Sequence, residues 1–327
     1  MADLPRDRTE CAPPFSFTGC DVFGPFNITD GQTTRRSNSS KKCWGVLFTC
    51  LNSRATHIEP LPHLDTTSMK NAIRRFICIR DPCKRLRSDH GTNFIGVKNQ
   101  EACIDPEELS REVQKYNCEW ELTPPKASHF GGIWERQIQT IKKILQDSLL
   151  QLGSRTLCRD ELYTYLAECS SIMNNTPLWE YSSDPNDPRP LTPSMILNLR
   201  EDPPASDHFS EKDFLSYGSK RWRRVQALAD VFWRRWRLDY LQTLQSRCKW
   251  LKPTRSFKLG DVVLLRDASC KRHLWPIGKV SSVKLSPDGL VRSVTVVVSS
   301  RDSSVKTLCR PISELVLLIP VDGLYSN

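Results

Sequence analysis

The sequence predicts an α/β protein, in which a mixed sheet with flanking helices is followed by a long basic helix and a small C-terminal β-barrel. Strand-like apolar patterns and helical spacing follow one another up to about residue 180. Six prolines then fall within residues 182–206, which is typical of a linker. Short strands with regular turn signals begin near residue 257.

These patterns divide the chain of 327 residues into segments. We expect a polar tail at 1–14, an α/β core at 15–180, a proline-rich linker at 181–219, a basic aromatic helix at 220–252 and an SH3-like barrel at 253–320.

The composition indicates a polyanionic partner. The formal net charge is +10 and the isoelectric point is about 9.0, which suits nucleic acid, although an anionic membrane surface would also attract such a chain. The sequence contains no apolar run near the roughly 20 residues that span a bilayer, and the N-terminal residues lack an apolar signal region. We therefore expect an intracellular protein with no membrane segment, whose 13 cysteines are reduced and mostly buried.

Three predicted strands open the core. Residues 15–25 alternate apolar and small side chains around Asp21, and Gly24-Pro25 is expected to end the strand. Residues 43–51 form a nearly continuous apolar run typical of a buried central strand, and residues 56–61 follow as the third strand of an antiparallel meander. An aspartate inside an apolar strand requires a compensating positive charge, or else the hydrogen bonds of an edge position.

Two further acidic residues stand at positions where α/β folds present functional groups. Asp89 ends the strand that begins near Lys84 and precedes Gly91, although the same segment is also ordinary turn chemistry. Glu135 lies in the first turn of a helix that begins near Ile133, where a glutamate is also common for helix-dipole reasons. Gln139 and Lys142 follow one and two turns later on the same face.

Asp21, Asp89 and Glu135 can converge on one edge of such a sheet. Three adjacent carboxylates would repel one another unless cations compensated them, and Mg²⁺ suits a carboxylate site that leaves room for phosphate oxygens. Two such ions would activate an attacking hydroxyl and stabilise the leaving oxygen.

Several segments of the chain resemble a known family. Asp21, the segment Ser88–Phe94 and the segment Pro125–Arg136 resemble the integrase core of Pao/BEL-type retrotransposons, and the residues from Trp222 onward resemble the domain that follows it. The resemblance implies an RNase H-like core whose Asp-Asp-Glu triad binds two Mg²⁺ or Mn²⁺ ions and joins element DNA 3′ ends to target DNA. It also implies that Lys142 approaches the DNA end, and that the chain is the terminal part of a polyprotein or a degenerate genomic copy.

Further DNA contacts are expected from polar and basic side chains outside the triad. On the basic helix, an amphipathic face packed on the core is as good an interpretation as a DNA-binding face that uses arginine and tryptophan. The expected contacts are Lys126, His129, Gln139, Lys142, Arg223, Arg224, Arg234 and Arg235.

Two alternatives to a DNA strand transferase stay open, namely a catalytically silent DNA-binding protein derived from such an element and a hydrolytic nuclease of the same fold. For the integrase we expect nuclear localisation, with passage through the cytoplasm before import, and a homo-oligomer.

Overall fold

The computed structural model describes residues 6–29, 41–88, 104–122, 132–150, 156–180, 190–199, 221–244, 255–266, 274–285, 291–299 and 305–321. Asp89, Lys126 and His129 lie outside these ranges, and Glu135 is described only as part of a helical backbone. The chain divides into two compact units. Of the described residues, the first unit holds the chain up to Asn174, Ile196–Leu199 and the helix up to Phe232, and the second unit holds the remainder.

The first unit is built on one mixed sheet. Its strands are β1 (Phe17–Thr29), β2 (Lys41–Cys50), β3 (Thr56–Leu61), β4 (Arg85–Ser88), β5 (Glu119–Leu122) and β6 (Leu157–Cys158). The order is β3-β2-β1-β4-β5, with β6 also paired to β1. β2 and β3 run antiparallel to their neighbours, whereas β4, β5 and β6 continue parallel to β1. This mixed α/β arrangement is compatible with the predicted RNase H-like core.

Five described helices accompany this sheet, and all but the first have an apolar stripe. They are α1 (Arg6–Thr9), α2 (Thr66–Arg80), α3 (Pro106–Gln114), α4 (Gly132–Leu150) and α5 (Arg159–Asn174). α2 begins where the Asp65 carboxylate accepts a hydrogen bond from the Ser68 amide at 2.6 Å, which satisfies one of the unpaired amides of the first turn. Phe76 of α2 stacks on Phe48 of β2 with ring centroids 4.2 Å apart, and both rings lie in the main core.

The predicted end of β1 at Gly24-Pro25 is wrong. The strand continues to Thr29, and its pairing with β2 shifts register between Phe23 and Phe26. A β-bulge absorbs the two residues that cannot keep regular pairing, since proline lacks an amide hydrogen and Gly24 adopts φ +124°. β1 therefore continues beyond the bulge, and its last two residues pair with β6.

The N-terminal segment differs from the loose tail that its composition indicates. Asp7 of α1 is only 5% exposed. Its carboxylate contacts Arg85 at 3.1 Å and Arg87 at 2.7 Å, so it ties α1 to β4. Charge pairing with the basic strand replaces the apolar contacts that this short segment lacks.

The second unit contains a five-stranded antiparallel sheet in the order β12-β11-β10-β9-β13. The strands are β9 (Val262–Leu265), β10 (Ile277–Leu285), β11 (Val291–Ser299), β12 (Val305–Pro311) and β13 (Leu315–Ile319), with a 3-10 turn at Ile312–Glu314 before the last. The five predicted strands are present, but the predicted barrel is not closed, because β12 and β13 form opposite edges that do not pair within the described residues. β9 and β13 span only four and five residues, which leaves little edge for the tilt and stagger that closure requires.

Both faces of this sheet are covered. On one face, Val263, Val280 and Val296 lie in a common cluster. On the opposite face, Val262 and Leu264 cluster with Leu241 of helix α7 (Arg221–Leu244). The uninterrupted apolar run of β9 is explained by this burial on both sides.

Part of the predicted linker has regular structure. In the second unit, β7 (Trp179–Glu180) pairs with β8 (Pro190–Leu191). Helix α6 (Pro193–Asn198) follows along the chain, and its residues from Ile196 onward belong to the first unit. Residues 181–189 and 200–219 of that linker lie outside the described residues.

A buried carboxylate organises the start of β9. Asp261 is fully buried, and both its oxygens accept hydrogen bonds from Arg255 at 2.8 Å. The amides of Lys258 and Val321 donate to the same carboxylate at 2.7 and 2.9 Å. Gly260 precedes it at φ +91°, where a side chain would also approach Val321.

The described helices include none long and apolar enough to cross a membrane. All ten cysteines within the described residues are free thiols, and seven of them are buried.

Candidate active site

Asp21 lies in β1 immediately after the residues that pair with β4. Its neighbours Cys20 and Val22 point into the main core, so the alternation of the strand directs Asp21 to the opposite face. Cys20 is the last residue of β1 paired with β4, and its partner is Ser88. Asp21 therefore follows directly after the paired segment, just as Asp89 follows Ser88 along the chain.

Lys142 of α4 forms an ion pair with Asp21. The Lys142 Nζ lies 2.6 Å from Asp21 Oδ2, and the two side chains are 34% and 17% exposed. Burial of Ile141 and Leu145 holds α4 against the core on either side of this lysine. Lys142 thus supplies the positive charge that an aspartate within an apolar strand requires.

Glu135 occupies the first turn of α4, and its backbone is helical as predicted. It precedes Lys142 by seven residues, which is nearly two full turns and about 10 Å along the axis. The two positions consequently share one face of the helix, and Lys142 places that face against β1. Gln139 is exposed between them.

Ser88 is held by a contact that sequence reasoning missed. Its hydroxyl is fully buried and accepts a hydrogen bond from Trp120 Nε1 of the neighbouring strand β5 at 2.8 Å. The register pairs Ser88 with Leu122, which places Trp120 within reach along the strand. This bond fixes the last described residue before Asp89. The one sequence signal was a tryptophan in a strand, whose indole N–H requires a partner when it is buried.

The convergence of the three predicted carboxylates is only partly described. Asp21 is placed with its contacts, Glu135 is placed as a position on α4, and Asp89 lies outside the described residues, as do Lys126 and His129. Among the side chains that the structure describes, no three His, Cys, Asp or Glu residues form a group that could hold a metal ion. The triad as a metal centre stays a prediction.

The predicted DNA-contacting arginines of α7 have different environments. Arg223 is exposed, whereas Arg224 is only 9% exposed and its guanidinium donates two hydrogen bonds to Glu161 of α5. A DNA contact by Arg224 would require breaking this buried ion pair. In the second unit, Arg234 is exposed and Arg235 is half-buried.

The tryptophans of α7 that lie in the second unit are structural. Trp233 and Trp236 are 2% and 5% exposed. The Trp236 indole donates to Thr176 Oγ1 at 2.9 Å, and Trp233 packs edge-on against Trp275 at 5.0 Å. These rings are not available to stack on nucleic-acid bases, which favours the interpretation of this half of the helix as a packed amphipathic element.

Comparison with known proteins gives limited matches. A family of unknown function (DUF5641) matches residues 220–318, which cover α7 and all but the last residue of the five-stranded sheet but less than half of the chain. No curated protein matches. A solved chain from the simian T-cell lymphotropic virus intasome, in complex with PP2A regulatory subunit B56 gamma, aligns over 96% of this chain and 85% of its own length. Its sequence identity is 8% and its TM-score is 0.36.

A likeness at that TM-score does not establish a common fold, so the architecture rests on the strand order given above. At the described site, the Asp21 carboxylate of the central strand β1 is paired with the cationic side chain of Lys142. It lies beside the strand end that leads to Asp89 and under the helix face that carries Glu135. Such a carboxylate binds cations rather than anions.

Proposed function

We propose that this protein is an integrase of the Pao/BEL retrotransposon type, which joins the 3′ ends of element DNA to target DNA. The observation that carries the proposal is the Lys142–Asp21 ion pair, because it brings the face of α4 that carries Glu135 to β1. The pairing of Cys20 with Ser88 supports a place for Asp89 beside Asp21, since the two aspartates each follow one member of this pair.

In this proposal Asp21, Asp89 and Glu135 hold two Mg²⁺ or Mn²⁺ ions. The residues fit such ions, since the pair with Lys142 shows that the Asp21 carboxylate can hold a cation at this position, and carboxylate oxygens are the ligands that these ions prefer. Bound ions supply activation of the attacking hydroxyl and neutralisation of charge at the leaving oxygen. The β1–β4 pairing and the Trp120–Ser88 bond hold the strand ends from which Asp21 and Asp89 follow.

The proposed substrate is DNA, which the net charge of +10 favours. The exposed Arg223 and Arg234 are the α7 positions best suited to phosphate contacts. We further propose Lys126, His129, Gln139 and Lys142 as contacts near the reacting end. Assembly as a homo-oligomer and action in the nucleus belong to the same proposal.

The test is Mg²⁺-dependent joining of a labelled oligonucleotide that carries the element end, with cleaved and joined products resolved on a gel. We expect Asp89→Asn to abolish joining and to leave DNA affinity within about twofold, since the loss removes a metal ligand and not a phosphate contact. Glu107→Gln is the matched control, because it removes an exposed carboxylate at the start of α3.

Other results would select the alternatives. Cleavage without joining would identify a hydrolytic nuclease. DNA binding without either product would identify a silent DNA-binding protein, and normal joining by Asp89→Asn would refute the triad.

A further inference from the structure

The ion pair between Lys142 and Asp21 has a property that its expected role in DNA contact does not explain. The Lys142 ammonium lies against the carboxylate itself, 2.6 Å from Oδ2, and both side chains are mostly sheltered from solvent. A partly buried pair is screened less than a surface pair. Its position is set by packing, because Ile141, Ile144 and Leu145 are buried around it.

A divalent ion bound to Asp21 would therefore share its ligand with a positive charge already in place. Two cations on one carboxylate repel, so the ion must either displace the ammonium or bind more weakly in its presence. We infer that Lys142 is a built-in counterion of Asp21, which competes with the divalent metal and lowers its affinity while DNA is absent. The inference rests on the proposed function, since it requires Asp21 to be a metal ligand.

The competition couples the binding of the divalent metal to the binding of DNA. A DNA phosphate that engages the Lys142 ammonium draws it from Asp21 and so favours metal binding. By thermodynamic reciprocity, metal binding favours the DNA contact to the same extent. The protein would then assemble its metal centre mainly on DNA, which limits metal occupancy in the free protein.

The inference is tested by Mn²⁺ binding to the DNA-free protein, followed through the electron paramagnetic resonance signal of free Mn²⁺. We expect Lys142→Gln to bind Mn²⁺ about tenfold more tightly than the wild type, because one competing charge is removed at contact distance. Lys142→Arg keeps the charge and should stay within about threefold of the wild type. Lys143→Gln is the matched control, since this exposed neighbour carries the same charge, and we expect a change below about twofold.

Asp21→Asn separates failure of the inference from failure of the proposed function. If Asp21→Asn loses Mn²⁺ binding but Lys142→Gln binds no better than Lys143→Gln, Lys142 does not compete and the inference is overturned. If Asp21→Asn binds Mn²⁺ as the wild type does, Asp21 is no metal ligand and the proposed function fails with it.

A measurement on the unmodified protein protects the test against a misfolded variant. Lysine acylation by a soluble succinimidyl ester, read by mass spectrometry, reports how far an amine is held in an ion pair. We expect Mg²⁺ to raise the labelling rate of Lys142 about threefold or more relative to Lys143, because release from Asp21 exposes the amine. Unchanged relative labelling at a Mg²⁺ concentration that saturates the site would contradict displacement.

Discussion

The indole nitrogen of Trp120 lies 2.8 Å from the hydroxyl oxygen of Ser88, and the bond joins β5 to the last described residue of β4. Ser88 is fully buried, so no water replaces this donor if the indole is removed. The pair therefore links the stability of the sheet to the placement of the residue that follows, which is the proposed metal ligand Asp89.

Replacement of Trp120 by Phe should lower the free energy of unfolding by about 1–2 kcal/mol, since it leaves a buried hydroxyl without this donor. Urea unfolding of the two single variants and of the double variant with Ser88→Ala measures the coupling, which we expect to be about 1 kcal/mol. Trp222→Phe is the control, because this tryptophan is 58% exposed. Additive single effects would show that the bond contributes nothing to stability.

Arg224 and Arg223 are adjacent arginines with different expected effects on stability. Arg224→Ala should destabilise the protein by about 3 kcal/mol or more, because it leaves the Glu161 carboxylate buried without its charge partner. Arg223→Ala should change stability by less than about 0.5 kcal/mol, as expected for an exposed side chain. Thermal and urea unfolding provide the comparison, and equal effects of the two substitutions would contradict the assigned roles.

Arg223 should instead affect DNA binding. If it contacts a phosphate, Arg223→Ala weakens binding to all sequences alike and reduces the slope of log K against log salt by about one. Fluorescence anisotropy with labelled duplexes over a range of salt concentrations measures that slope. Lys306→Ala removes an exposed charge from the separate C-terminal sheet and serves as the comparison. An unchanged slope for Arg223→Ala would exclude the phosphate contact.

The buried Asp261 predicts a pH dependence of stability. Burial by itself would raise the pKa of Asp261, but the hydrogen bonds from Arg255, Lys258 and Val321 outweigh it and lower the pKa below its ordinary value. A depressed pKa in the folded state contributes stability above the unfolded value of about 3.9, and this contribution disappears as the pH falls through the folded value.

The corresponding variant is Asp261→Asn, which should cost about 3 kcal/mol or more at pH 7 because Arg255 loses its buried partner. We expect the difference from the wild type to shrink as the pH falls below about 4, because Asp261 is then protonated in the unfolded wild type before it is protonated in the folded one. Urea unfolding between pH 7 and pH 3 provides the measurement. A difference that is constant over this range would show that the charge of Asp261 is not what stabilises β9.

Much of the fold was predictable because buried strands and helices show apolar residues at a characteristic spacing in the sequence. The continuous apolar run at 43–51 became the buried interior strand β2, next to the central strand β1, and the spacing of Met69, Ala72, Ile73 and Phe76 became the inner face of α2. These predictions needed only the preference of apolar side chains for the interior. The end of β1 was predicted incorrectly at Gly24-Pro25, because pairing with β2 and β6 on either side of the bulge carries the strand onward.

The candidate site was predictable in its members but not in its contacts. Asp21 and the helix position of Glu135 were expected, whereas the bond between Lys142 and Asp21 joins residues 121 positions apart. Likewise, Arg223 and Arg224 are indistinguishable as letters in a basic segment. Only the approach of Glu161, which lies 63 residues earlier, decides that one is buried and the other exposed.

The sequence by itself determined where the main strands and helices form, which acidic side chains are candidates for chemistry, and that the chain carries excess positive charge. Those properties depend on neighbours a few residues away and on composition. Tertiary structure alone decided that Lys142 occupies the Asp21 carboxylate, that Trp120 secures Ser88, and that the C-terminal sheet stays open. These outcomes depend on distances between segments far apart in the chain, which are set by the packing of the whole domain rather than by any local pattern.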